Sequence, residues 1–85
     1  MLFRSFNPKT TLRFALPVKG EVNLAVYDVR GRRVATLADG IMEAGNYEMV
    51  WTGTDEDNHP VASGVYFSRL TFGGDVLTDK MLMLK

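Results

Sequence analysis

Cysteine is missing from this chain of 85 residues. No disulfide can staple the fold and no thiolate can hold a metal, so stability rests on packing alone. That absence leaves export open, because it removes only a dependence on an oxidising compartment. Histidine occurs once, at His59, and a lone imidazole without cysteine nearby is a poor start for a transition-metal site. Net charge is absent too, since ten Lys and Arg balance ten Asp and Glu. A surface basic enough to follow a phosphate backbone would upset that balance, which argues against nucleic acid as a partner. No apolar run approaches the roughly 18 residues of a membrane-crossing helix, so no transmembrane segment is expected. Met1-Leu2-Phe3-Arg4 passes directly to Ser5 without the apolar stretch of a signal peptide. An exported form would therefore take its signal from further upstream in a longer protein, or have its route read elsewhere.

What is present is alternation. Glu21 to Leu37 reads EVNLAVYDVRGRRVATL, with Val22, Leu24 and Val26 on one side and Asn23, Ala25 and Tyr27 on the other. A period of two marks a strand with one face in a core. Asp28-Val29-Arg30-Gly31 supplies a type I turn with glycine at its fourth position, and Arg33 to Leu37 returns as the second strand. Two strands alone are not stable in water, so others must cover the apolar face.

The same pattern recurs over Thr10 to Leu16, Asn46 to Trp51, Val65 to Phe72 and Val76 to Leu84. Gly73-Gly74-Asp75 joins the last two as a hairpin. Ala38-Asp39-Gly40 breaks the alternation, so Ile41 to Gly45 reads as a crossing to the next strand. Residues 1–9 read as a linker ending at Asn7-Pro8, and residues 10–85 as one domain. Six to seven short strands with closely spaced turn signals imply an all-β antiparallel sandwich. The expected core is Val22, Leu24, Val26, Trp51, Phe67 and Leu70.

Few residues invite chemistry. Asp55-Glu56-Asp57-Asn58 clusters carboxylates, as hard cations require, but a calcium-binding helix-loop-helix register from Asp55 would need Gly and Glu where Pro60 and Tyr66 stand. The simpler reading is a solvated loop with His59 as an exposed turn residue. Ser63 lacks the nucleophile-elbow sequence, and His59 four residues before it has no third group to orient it. Tyr47, Trp51, Tyr66 and Phe67 carry enough ring surface to stack on a sugar, yet strand alternation turns most of them inward. No catalytic residue, cofactor or metal is therefore expected.

Taken together, the residues resemble the immunoglobulin-like domain of flagellar hook-capping (FlgD-like) proteins. They resemble still more the C-terminal sorting domains of type IX secretion. Phe6-Asn7-Pro8 with Thr10, Leu12, Phe14, Leu16 and Pro17 is similar to the opening FNPxTxIxFxLP. Gly20, Val22, Leu24, Val26-Tyr27-Asp28 and Gly31-Arg32 follow GxVxLxVYDxxGR. Ala44-Gly45 with Trp51, and Ala62-Ser63-Gly64-Val65-Tyr66-Phe67 with Arg69-Leu70, continue the series to a closing Lys80-Met81 and Lys85. Departures fall at Phe3-Arg4-Ser5, Tyr47, Thr52 and Asn58, the last replacing a turn glycine that asparagine can imitate.

The resemblance implies an immunoglobulin- or fibronectin-like β-sandwich without catalysis. It implies a module joined to an upstream passenger and recognised by secretion or assembly machinery. Lys80, Met81, Leu82, Leu84 and Lys85 are then the expected recognition residues. The module would be exported, held in the periplasm in transit and then delivered to the cell surface or beyond. Two alternatives are an assembly scaffold of hook-capping type and a carbohydrate- or surface-binding module.

Overall fold

The structure is a computed structural model that describes residues 10–84; the expected linker 1–9 and Lys85 lie outside the described residues. Six strands follow one another: β1 (Thr10–Leu16), β2 (Gly20–Tyr27), β3 (Arg33–Met42), β4 (Gly45–Trp51), β5 (Gly64–Phe72) and β6 (Asp75–Met83). All pairings are antiparallel, and they form a four-stranded sheet in the order β3-β2-β5-β6 and a two-stranded sheet of β1 and β4.

The apolar faces of the two sheets close on each other. Trp51 of β4 packs with Val26, Ala35, Tyr66, Met81 and Met83 of the larger sheet. A second cluster joins Leu16 of β1 to Val22, Leu24 and Leu70, with Phe14, Tyr47 and Phe72 against it. Burial of each large apolar side chain contributes about 1.5–3 kcal/mol. These clusters, with no disulfide, hold the sandwich together.

The turns follow the local chemistry. The Gly31 amide donates to the Asp28 carbonyl at 3.0 Å, and Gly31 takes φ of 80°. Asp28 Oδ1 also accepts from the amides of Arg30 and Arg32, at 2.9 and 3.0 Å. Gly73 and Gly74, with φ of 58° and 90°, make the two-residue link between β5 and β6.

Two tyrosines tie down strand starts. Tyr47 donates to the Glu43 carbonyl and Tyr66 to the Ala62 carbonyl, each at 2.6 Å and four residues back. The Tyr47 ring stacks on Phe14 at 5.3 Å across the β1–β4 ladder, while Tyr66 meets Trp51 edge-on at 5.1 Å.

Two expectations change. The strand expected to stop at Leu37 continues to Met42, and only Glu43 and Ala44 separate it from β4. Register shifts against β2 leave Val34 and Leu37 without a partner of their own. Each extra residue reverses the parity of β3. Ala35 and Leu37 lie inward before the second bulge, and Ala38, Gly40 and Met42 after it. A strict period of two therefore fails at Ala38 although the strand does not.

Phe67 is the second correction, being half-buried where a core position was expected. It shares its parity with Val65 and Arg69, whereas Tyr66, Ser68 and Leu70 occupy the buried face of β5. The other five expected core residues are buried.

Candidate interaction surface

Strand β6 ends the larger sheet, so one of its edges has no strand beside it among the described residues. An open edge presents backbone donors and acceptors that a further strand can use. Val76, Leu77, Leu82 and Leu84 are all exposed along this element and its end.

The residues expected to be recognised divide between the two faces. Lys80 sits opposite Phe67 and Leu82 opposite Val65 on the outer face. Leu82 is 63 % exposed and Leu84 59 %. Met81 is the exception, because it lies opposite Tyr66 and packs in the core with Trp51. Its side chain anchors the strand and is closed to a partner. Lys85 lies outside the described residues. The outer face continues through Phe67 to Tyr27, over which the Arg69 guanidinium lies 5.8 Å from the ring centre.

Trp51 and Tyr66 are buried and Tyr47 is stacked on Phe14, so these rings do not form an open platform for a sugar.

At one end of the sandwich, the acidic loop docks on the neighbouring strand. Glu56 accepts from Thr36 Oγ1 at 2.9 Å and pairs with Arg33 at 3.4 Å. Inside that loop, Asp55 Oδ1 accepts from the amides of Asp57 and His59, both at 2.9 Å. Asn58 takes φ of 65°, the positive value expected of a residue standing in for glycine. The resulting turn places ligand atoms of Asp55, Asp57 and His59 within 4.8 Å of one another. The turn at Asn58 is the sequence signal that brings His59 to the carboxylates.

One Asp55 oxygen already holds the loop together, so the cluster has a structural explanation. Millimolar calcium is expected to leave the melting temperature unchanged, since a ligand specific for the native state must raise it. A rise abolished by Asp55→Asn with Asp57→Asn would contradict this reading.

Among the described residues, two groups carry shifted protonation. The Arg32 amide, helped by the Arg30 amide and the Arg32 side chain, holds the Asp28 carboxyl below its ordinary 3.8, against a smaller opposing effect of burial. Burial pushes the Tyr66 phenol above 10.0, and the Asp28 charge adds to this.

For Asp28 the folded value lies below the unfolded one. Its contribution to stability is present above about pH 4 and lost as pH falls through the folded value. For Tyr66 the folded value is the higher, so its contribution is full below about pH 10 and lost as pH rises through that value. Thermal melts across pH should fall off at both ends, and Asp28→Asn should flatten the acid limb. An acid limb unchanged by that substitution would show that Asp28 does not carry the effect.

Two packed antiparallel sheets, with a tyrosine bonded back to the chain four residues before it, define an immunoglobulin-like β-sandwich. The chain belongs to the FlgD Ig-like domain family, whose family model matches residues 6–72. Among solved structures it is similar to FlgD from P. aeruginosa, with a TM-score of 0.61 and 24 % sequence identity. That likeness covers 88 % of this chain and 60 % of the other, so the chain spans less than two thirds of that protein. Comparison with the curated proteins gives no match. The family match ends at Phe72, so β6 and its exposed apolar residues lie beyond it.

Proposed function

We propose that this domain is a structural module for protein assembly, of the kind found in flagellar hook-capping proteins, and that it performs no catalysis. The observation that carries the reading is the open edge of β6 with four exposed apolar residues on it and just beyond it. Such residues favour contact with another protein chain, and backbone pairing at an edge adds direction to that contact. Membership of the FlgD Ig-like domain family supports the same conclusion.

The test is an exchange of the corresponding domain of P. aeruginosa FlgD for residues 10–85. A folded chimera should still assemble hooks. A chimera that is folded and stable but assembles none would overturn the scaffold reading.

The outward placement of Lys80, Leu82 and Leu84 favours a second reading, a sorting signal for type IX secretion acting on an upstream passenger. Under it, the domain passes through the periplasm to the cell surface or the medium. A reporter fused ahead of residues 1–85 should then leave a cell that has the type IX machine. The Lys80→Ala, Lys85→Ala double variant should stay in the periplasm while melting normally. Retention of the unaltered fusion in the periplasm would reject this second reading.

A further inference from the structure

The two sheets differ in width, and the difference leaves a slot. With two strands lying over four among the described residues, the inner face of β6 is left uncovered along its first half, where Leu77 is 64 % exposed. The slot has a volume of about 260 Å³ and is lined by five consecutive residues of β1, Thr11 to Ala15, together with Leu24, Ser68, Leu70, Leu77 and Asp79. Consecutive residues of a strand point to opposite faces. Their joint presence in the lining therefore means that the slot runs along an edge of β1. That edge is the one left free among the described residues, because β4 occupies the other.

The floor of the slot has a definite pattern. Leu70 lies opposite Leu77, and Ser68 lies opposite Asp79. One cross-strand pair is thus apolar and the next is polar. Ser68 is only 5 % exposed and its hydroxyl has no hydrogen-bond partner among the described residues. A buried hydroxyl normally finds a partner. Asp79 has no ion-pair partner among the described residues either.

We propose that this slot receives an extended segment of a partner protein, which pairs with the free edge of β1 as a third strand of the smaller sheet. Its inward side chains alternate in the sense of the floor. An apolar residue covers Leu70 and Leu77. Two positions along, a lysine or arginine meets the Asp79 carboxylate and the Ser68 hydroxyl. Charge complementarity selects this occupant over an all-apolar strand, which would leave Asp79 and Ser68 covered and unpaired. The inference rests on the assembly reading above and names the chemistry of the partner.

The test uses the full chain, isotope-labelled, titrated with the blocked peptide Thr-Val-Thr-Lys-Thr-Val-Thr. The peptide reads the same in either strand direction. Binding should shift the amide resonances of Thr11 to Ala15. Replacing the peptide lysine with glutamate should weaken binding roughly fivefold to tenfold at low salt. Asp79→Lys should reverse that preference while the domain melts as before. Ser68→Ala should weaken the lysine peptide without a drop in melting temperature.

The proposal fails if neither peptide binds, if the preference survives Asp79→Lys, or if the shifts fall on the outer face of β6. It also fails if sedimentation shows a dimer that occupies the slot with a second copy. A chimera that assembles hooks beside a chain that binds neither peptide would reject the slot proposal and leave the assembly reading standing.

Discussion

Trp51→Ala should lower the unfolding free energy by about 3–5 kcal/mol, the range for removing a buried aromatic side chain. A domain of this size holds roughly 4–13 kcal/mol in total, so the variant stands at or near the limit of folding. Trp51 is 2 % exposed and sits in the cluster that joins the two sheets. Its indole N–H donates to the Thr54 carbonyl at 2.9 Å, which fixes the start of the acidic loop. The edge-on contact with Tyr66 links it to the strand start that Tyr66 secures through Ala62. Alanine removes all three and leaves a cavity between the sheets. Trp51→Phe keeps most of the volume and loses the hydrogen bond, so it should cost clearly less. Denaturant melts measure both, and a loss below about 1 kcal/mol for the alanine variant would contradict this packing.

Leu24→Ala is the second large effect, at about 2–5 kcal/mol. Leu24 is 3 % exposed on β2, the strand flanked by β3 on one side and β5 on the other. It belongs to the second cluster, with Leu16 reaching it from the smaller sheet. Leu82→Ala provides the comparison, because an exposed leucine should change stability by no more than about 0.5 kcal/mol. If Leu24→Ala fell below that same value in denaturant melts, the face assignment of β2 would be wrong.

Much of the architecture was readable in the sequence because alternation and turn chemistry are local. Val22, Leu24 and Val26 announced the buried face of β2. Asp28 and Gly31 announced the turn, and Gly73-Gly74 the last hairpin. The misses also have local causes. The extra residues Val34 and Leu37 shifted the parity of β3, so a strand of ten residues looked like one of five followed by a crossing. Phe67 has the hydrophobicity of a core residue, but its parity puts it on the outer face with Val65.

The interaction surface was legible only in outline. The sequence marked the last strand, but which of its residues face a partner depends on pairing with β5, and that pairing turns Met81 inward. The unequal width of the sheets was not legible at all. It depends on β1 pairing with β4, a contact between segments far apart in the chain, which no local signal encodes.

The function proposed for this domain depends on β6 keeping one edge open. Amide hydrogen exchange along Asp75 to Met83 measures this directly, because only the amides that point to β5 are bonded within the sheet. Protected and fast-exchanging amides should alternate along β6, while β2, paired on both sides, should be protected throughout its centre. Uniform protection of β6, at the level of β2, would mean that its edge is already covered and would contradict the open edge.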